Sequence, residues 1–292
     1  MDAVLTLSRA FDSELIAFML TLPRLYAFLA ATQLLNASVL PGLPRTAAVF
    51  SIAFLAVPMN MEFAATFDRS VTSLSLYFAK EYAVGFLLGY LMGWIFWVIS
   101  AAGGLIDNQR GAAIASSIDP LQGEEASTLG NLFSQAFLTF VFTTGGFLLV
   151  LGVVYKSYAV WPVANAVPLI SDAFPKAMLA IFDNAMRLAV VIAGPIIAIM
   201  FLAEFSLAMI SRFAPQIQVF ILAMPIKSAL AIMVLIFYFW MMLPFAERQL
   251  VSSEGYVAKL YEILTFGAAV KPPSRNAPAA PAAPPTSPET RP

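Results

Sequence analysis

The chain has 292 residues, of which 60 % are apolar and 11 % are charged, and its formal net charge is −1. Soluble globular proteins carry about 25 % charged residues, so this composition predicts an integral membrane protein or one that buries most of its surface in partners. No regular apolar/polar alternation of an outer-membrane barrel is visible, so we expect an all-α fold of membrane-type helices. The near-zero net charge gives no basis for nucleic-acid binding.

The sequence contains no histidine and no cysteine. Their absence removes histidine-based acid/base catalysis, zinc sites, iron–sulfur clusters and disulfides. What remains for chemistry is a small set of carboxylates, lysines and arginines. We therefore expect no enzyme, no cofactor and no metal site.

The N-terminal part contains two apolar segments. Residues 15–35 form the first, which is interrupted at Pro23-Arg24. Since an arginine that faces lipid is costly, Arg24 either lies at a helix end and reaches the membrane surface or packs inside a protein assembly. A turn at residues 41–44 leads to a shorter apolar run, 46–61, which we predict to form a helical hairpin with the first.

A polar segment and a strongly apolar one follow. Residues 62–81 are polar, but their large apolar residues recur at helical spacing, which predicts a surface helix. Residues 82–104 are predicted to be a membrane-grade helix. Gly85, Gly89 and Gly93 lie four residues apart on one face of it, and this spacing lets another backbone approach closely. We therefore assign the glycine face to assembly and packing.

Residues 103–125 form a long polar, glycine-containing connection between two apolar runs that can each cross a hydrocarbon core of about 30 Å. Loops of this length inside compact bundles are usually functional or disordered. Because the segment also carries apolar residues, we predict an ordered loop that is buried in protein or lines an aqueous passage. The candidate functional residues of this segment are Gly104, Asp107, Asn108, Gln109, Arg110, Gly111, Ser116, Ser117, Asp119 and Pro120.

The second half contains three further apolar segments. Residues 129–154 carry two adjacent glycines, which predict a kink or a tight contact. Residues 183–210 and 216–246 are predicted to be the last two long helices. Their ionisable residues are either functional at membrane depth or form interhelical salt bridges that set the register. The assembly and packing candidates here are Gly145, Gly146, Glu204, Arg212, Pro215, Gln216 and Lys227.

The composition divides the chain into two parts. Residues 1–267 are predicted to form one helical domain. Residues 268–292 are rich in proline and alanine and cannot bury enough apolar surface to fold, so we predict a disordered tail. Since the basic residues are densest towards the C-terminus, the positive-inside rule places that end in the cytoplasm.

Three separated motifs resemble those of a known family. They are GGLIDNQRGAAIASSIDP at 103–120 with LGNL at 129–132, KSY at 156–158 followed by Pro162, and the run from Arg212 to Lys227 that contains RFAPQIQVF. Together they resemble the T component of the type III secretion export apparatus, the SctT/FliR family, over roughly residues 10–265. The DNQRG motif and the glycine pair at 145–146 are more similar to the injectisome branch than to the flagellar one.

The resemblance implies a subunit of an export gate in the bacterial inner membrane. In the family, one T subunit joins several copies of the R and S components in a closed pseudo-helical ring, and unfolded substrate proteins pass through its centre. The helical hairpins then pack against neighbouring subunits more than against lipid. The resemblance also implies contacts with the U-type switch protein and the large export-gate ring protein.

The resemblance further implies that loop 103–125 is a plug that helps to seal the pore until a substrate arrives. Small residues suit a plug because they pack closely and offer few anchors to a passing chain. Asp107, Arg110 and Asp119 can tie the loop ends by charge-assisted hydrogen bonds. The alternatives are a stand-alone secondary transporter or channel, for which no inverted repeat is apparent, and a static membrane scaffold.

Overall fold

A computed structural model describes residues 2–35, 40–67, 70–111, 127–165, 173–213 and 219–269, and this part of the chain is helical with no β-strand. The helices are α1 (Asp2–Thr32), α2 (Leu43–Ala56), α3 (Met61–Thr66), α4 (Val71–Arg110), α5 (Thr128–Thr143), α6 (Gly146–Val160), α7 (Ala173–Phe213) and α8 (Val219–Ala269). A 3₁₀ turn, Val57–Asn60, joins α2 to α3. The expected all-α fold is confirmed, and α2 packs on α1 as the predicted hairpin.

Helix α4 is the central element, because α1, α5, α7 and α8 all contact it. It begins after Ser70, whose hydroxyl accepts a hydrogen bond from Ser73 N at 3.2 Å and so caps the first turn. It ends before Gly111, whose φ of 93° lies in the left-handed region that favours glycine. At about 1.5 Å per residue, α4 is about 60 Å long, and this exceeds the bilayer core of about 30 Å.

The predicted boundaries of this helix are wrong at both ends. Helix α4 includes the last part of the predicted surface helix 62–81 and continues through the first part of the predicted loop 103–125, as far as Arg110. Three of the polar residues that suggested a surface and a loop are buried, namely Lys80, Glu81 and Asp107. Because an α-helix pairs its own backbone groups, it suits a segment held inside the protein. Residues 112–126 lie outside the described part of the chain.

Prolines do not end the long helices. Helix α1 continues through Pro23, α7 through Pro195, and α8 through Pro225 and Pro244. A proline removes one backbone hydrogen bond, but the neighbouring turns and the packing of each helix remain. Pro23 therefore interrupts the apolar run without ending the helix, and the last two helices are longer than predicted.

Helices α5 and α6 meet at a bend of 79°. Gly145 lies at this bend with φ 82°, and a Cβ atom placed on it would find nothing within 4 Å. The backbone conformation, rather than crowding, therefore favours glycine here. The predicted kink is confirmed.

The helices share a large hydrophobic core, beside a small separate cluster of Ala17, Val57 and Ala64, and some apolar faces remain uncovered. Within the described residues, five helical segments are long and apolar enough to cross a membrane, and the bent α5–α6 pair would make six. Large apolar side chains are exposed on α7 and α8, among them Phe201, Phe205, Phe237 and Trp240. Soluble monomers rarely expose such continuous apolar surface. Lipid or other proteins must cover these faces.

Candidate functional site

The described residues before and after the stretch 112–126, which holds most of the segment predicted to be a plug, meet at one junction between α4 and α5. Asp107, in the last turn of α4, accepts hydrogen bonds at Oδ2 from Ser127 Oγ at 2.7 Å and from Leu129 N at 2.9 Å. Ser127 is also the N-cap of α5, since its Oγ accepts from Gly130 N at 2.8 Å. The carboxylate therefore lies at the N-terminus of α5, where the helix dipole stabilises a negative charge. Residues 111 and 127, on either side of the undescribed stretch, are held near each other.

Glycines allow α4 and α5 to approach closely enough for this contact. A Cβ atom on Gly103 would lie 2.5 Å from Gly130 N, and one on Gly130 would lie 2.9 Å from Ser100 O. Distances this short leave no room for a side chain at either position. Gly104 is less crowded, because its Cβ would lie 3.9 Å from the Ser127 Cβ.

Arg110 completes the junction. Its Nη2 lies 2.7 Å from Asp107 Oδ1, and the two side chains are 19 % and 3 % exposed. Their spacing of three residues places them on one face of α4. The Nε of Arg110 is buried without a hydrogen-bond partner among the described residues. Asn108 is exposed and Gln109 is half-buried.

Four predicted plug residues lie outside the described part of the chain. They are Ser116, Ser117, Asp119 and Pro120. The proposed tie through Asp119 therefore stays a prediction. The described side of the tie is made by Asp107, Arg110 and Ser127.

A second cluster of charges lies near the other end of α4, around Arg24. Its Nε donates to Glu81 Oε2 at 2.6 Å, its Nη1 to Ser157 Oγ at 3.2 Å, and its Nη2 to Trp161 O at 3.0 Å. The guanidinium carbon also lies 4.3 Å from the centroid of the Tyr158 ring, at cation–π distance. Both members of the ion pair are fully buried. Arg24 thus packs inside the chain, and the alternative in which it reaches the membrane surface is wrong.

Lys80 extends this cluster towards the segment after α6. Its Nζ lies 3.0 Å from Glu81 Oε1 and donates to Val163 O at 2.5 Å and to Asn165 O at 2.9 Å. Two cations therefore share one carboxylate. The carbonyl groups that follow α6 supply further acceptors, as backbone carbonyls at helix C-termini commonly do.

The glycine face of α4 packs against α1. A Cβ atom on Gly93 would lie 2.7 Å from Ala31 O, and one on Gly85 would collide with the carbonyl of Arg24. Gly89, between them, faces the same helix. The structure places a helix of this chain on the face, and this contact brings Arg24 to the charge cluster.

The charged candidates of the second half are only partly brought together. Lys227 Nζ on α8 lies 3.2 Å from Glu204 Oε2 on α7, with side chains 11 % and 49 % exposed. Arg212 is exposed near the end of α7, while Pro215 and Gln216 lie outside the described residues. The described residues hold no cluster of acidic side chains able to bind a metal ion.

The sequence matches a family model described as bacterial export proteins, family 1, over residues 15–252. The chain belongs to this family. The match includes the α4–α5 junction, the buried charge cluster and the α7–α8 ion pair. The family resemblance predicted from the three motifs is confirmed.

Of three relatives of this export protein, two are named for translocation or for surface presentation of antigens, and one is named for flagellar biosynthesis. The Yop proteins translocation protein T of Yersinia pestis is 36 % identical over 253 residues, covering 86 % of this chain and 96 % of that protein. The surface presentation of antigens protein SpaR of Salmonella typhimurium is 35 % identical over 211 residues, covering 72 % and 78 %. The flagellar biosynthetic protein FliR of Bacillus subtilis is 28 % identical over 226 residues, covering 75 % and 85 %.

Identity is higher to the first two relatives than to the flagellar one, in agreement with the predicted branch. With the apolar helices, the family match identifies a multi-pass membrane protein.

Sequence reasoning about this export protein named only part of each cluster. It singled out Asp107, Arg110 and Arg24, but it missed Ser127 and the pair Lys80–Glu81. An acidic residue and a basic residue that are consecutive in the sequence, just before a membrane-grade helix, are a usable signal for a buried ion pair. Ser127 offers a weaker signal, because a serine just before an apolar run marks the start of a helix.

Proposed function

We propose that this export-family chain is the T subunit of the export gate of a type III protein secretion system, of the injectisome type. The observation that carries the proposal is the family match over residues 15–252. The relatives named as Yop translocation protein T and SpaR support it, since they are matched over 96 % and 78 % of their length. A stand-alone transporter or channel is the alternative.

In this proposal the subunit assembles with R and S components in a pseudo-helical ring in the bacterial inner membrane. It also contacts the U-type switch protein and the large export-gate ring protein, its C-terminus faces the cytoplasm, and unfolded substrates pass through the ring. The uncovered apolar faces of α7 and α8 support an assembly, because they need lipid or protein to cover them. The length of α4, about 60 Å, supports a structure that extends beyond the bilayer.

The test of assembly is a gentle-detergent pull-down of the tagged chain from its native cells, followed by mass spectrometry. We expect the R and S proteins to be recovered, and their injectisome or flagellar type identifies the branch. An unrelated multi-pass membrane protein with the same tag is the control. Recovery of the chain alone, with transport activity in liposomes, would favour the stand-alone transporter.

In this proposal the central segment 103–125 helps to seal the pore. The support is that Asp107 and Arg110, in the first part of the segment, form a junction with Ser127, which follows the segment. Exchange of Arg110 for glutamate would put a second carboxylate beside Asp107, and like charges at this distance repel.

We therefore expect Arg110→Glu to raise ion leakage across the inner membrane of cells that carry the gate, while the R and S proteins still co-purify with the variant. Arg248→Glu, an exposed arginine on α8, is the matched control and should leave leakage unchanged. Unchanged leakage in Arg110→Glu would contradict the sealing role without affecting the assembly result.

A further inference from the structure

We propose that Asp107 is a positioning residue of the seal, and that the α4–α5 junction it holds stays closed while a substrate passes. The proposal rests on the proposed function, since the seal and the substrate come from it. The α4–α5 junction is then the part of the structure that does not move. The alternative is that α4 and α5 separate at this point to widen the passage.

Both carboxylate oxygens of Asp107 are engaged, but in different ways. Oδ2 accepts hydrogen bonds from Ser127 Oγ and from Leu129 N, whereas Oδ1 lies 2.7 Å from Arg110 Nη2 as an ion pair and has no hydrogen-bond partner among the described residues. Hydrogen bonds to an ionised group are the strong ones in proteins. Separation of the two helices would break both of the bonds that reach α5 at the same moment.

Asp107 is also buried. The residue is 2 % exposed, so its carboxylate lies in the interior of the protein. If α5 moved away without the entry of water, the carboxylate would lose both of its hydrogen bonds to α5 and the backbone amide of Leu129 would lose its acceptor. Such a loss carries the full desolvation penalty of each group.

The backbones of α4 and α5 also approach each other closely. Gly103 and Gly130 lie so close that neither position has room for a Cβ atom. A contact of this kind joins two rigid helices over their main chains and does not depend on side-chain rotamers. The junction is therefore held by the Asp107 carboxylate and by the close contact between Gly103 and Gly130. Regions of a protein with few buried contacts open before a region of this kind does.

The consequence is a role for Asp107 in positioning. Because the carboxylate joins the last turn of α4 to the first turn of α5, it sets the distance between residues 111 and 127. Residues 111 and 127 are then held at a fixed distance from each other. A wider separation of these two residues would leave a gap at the seal.

The chain allows a direct test because it contains no cysteine. A Cβ on Gly104 would lie 3.9 Å from the Ser127 Cβ, which is inside the range of about 3.5–4.5 Å found in disulfides. The double variant Gly104→Cys with Ser127→Cys can therefore be cross-linked across the junction in the assembled gate. Cross-linking is followed by a mobility shift on non-reducing gels, after a protease site has been placed between the two positions.

We expect the cross-link to form and the export rates of the oxidised and reduced forms of the same variant to agree within about twofold. The two single variants, treated with the same oxidant, control for other effects of oxidation. Loss of export on oxidation that a reductant restores would overturn the proposal, because it would show that the junction must open. Failure of the cross-link to form would also overturn it, since the two helix ends would not lie together.

A rescue experiment tests the positioning role of Asp107 itself. We expect Asp107→Ala to raise ion leakage more than Asp107→Asn, because asparagine keeps one acceptor oxygen. In the double-cysteine background, oxidation should return the leakage of Asp107→Ala towards that of the parent, and reduction should raise it again. A variant that is merely misfolded would not respond in this reversible way. Leakage that stays high after cross-linking would show that Asp107 does not act by holding the helix ends.

The two proposals can fail separately. The pull-down tests the proposed function, and it does not depend on the junction. If the chain does not co-purify with gate proteins, the proposed function fails even where the cross-link forms. If it does co-purify and oxidation blocks export, only the fixed junction fails.

Discussion

Arg24 and Glu81 form an ion pair in a place that solvent does not reach, since neither side chain is exposed. Bringing such a pair into the interior costs desolvation free energy that its attraction does not always recover, so the pair is weak evidence for stability by itself. The loss of one partner is different, because the other charge then stays buried alone. In this cluster Lys80 shares the same carboxylate, which makes Glu81 the critical member.

We expect Glu81→Gln to destabilise the protein by about 3–5 kcal/mol, the range for breaking a buried ion pair from one side. The measurement is the thermal unfolding of the detergent-solubilised chain, with its steady-state amount in membranes as a second readout. Glu14→Gln, an exposed glutamate on α1, is the matched control and should change stability by no more than about 0.5 kcal/mol. Equal melting of the two variants would contradict the role of Glu81.

At the scale of elements, the fold depends on how closely α1 and α5 approach α4. Glycines make both approaches possible, at Gly85, Gly89 and Gly93 for α1 and at Gly103 for α5. The two approaches have different results. The first buries Arg24 beside the charge cluster, and the second brings α5 to Asp107. The faces of α4 on which α1 and α5 pack thus decide where the charged groups lie.

The same substitution should have opposite effects on two helical glycines. A Cβ on Gly89 would lie 2.5 Å from Phe28 O, so Gly89→Ala must push α1 away and should cost about 1–3 kcal/mol, as overpacking does. A Cβ on Gly152 of α6 would meet nothing within 4 Å. Gly152→Ala should therefore be neutral or stabilise by up to about 1 kcal/mol, the difference in helix propensity.

Thermal unfolding of the two variants side by side checks this prediction. Both carry the same change in composition and both lie inside helices, so the sign of the difference reports on packing alone. Equal stability of the two variants would contradict the prediction, because it would show that the contact between α1 and Gly89 does not limit the size of the side chain there.

At the scale of the whole molecule, the C-terminal helix joins the core over part of its length and leaves it elsewhere. Large side chains of α8 are exposed around Trp240. Further along, Ser253 accepts a hydrogen bond from Trp94 Nε1 at 2.9 Å, and Val257 is buried. The part of α8 beyond residue 252, where the family match ends, therefore still belongs to the folded protein.

Two truncations should separate the folded part from the tail. A chain that ends at Ala269 keeps the contacts of Ser253 and Val257, so we expect it to accumulate and to co-purify with gate proteins as the full chain does. A chain that ends at Ser252 leaves the Trp94 indole N–H buried without its partner and exposes core surface. We expect its loss from the membrane, because an unpaired buried donor costs about 1–3 kcal/mol and the lost apolar contacts add to this. Equal co-purification of both truncations would contradict the prediction.

The sequence by itself determined the class of the protein and several local features. Composition predicted membrane-type helices, three motifs predicted the family, and the pair at Gly145 predicted the bend. These features depend on properties that a short stretch of chain carries alone, such as its hydropathy, or a left-handed backbone that favours glycine. The candidate residues Asp107 and Arg110 were also within reach, because polar residues between apolar runs are conspicuous.

Only the tertiary structure decided which polar residues are buried and with what partners. Lys80 and Glu81 were assigned to a surface helix, Arg24 had two open alternatives, and residues 103–110 were predicted to be a loop. The partners that settle these cases are remote: Ser157 is 133 residues from Arg24, and Leu129 is 22 residues from Asp107. Periodicity shows which residues share a face of a helix, but the element that covers the face is selected by packing between distant segments, and this packing decides whether a charge lies in water or in the core.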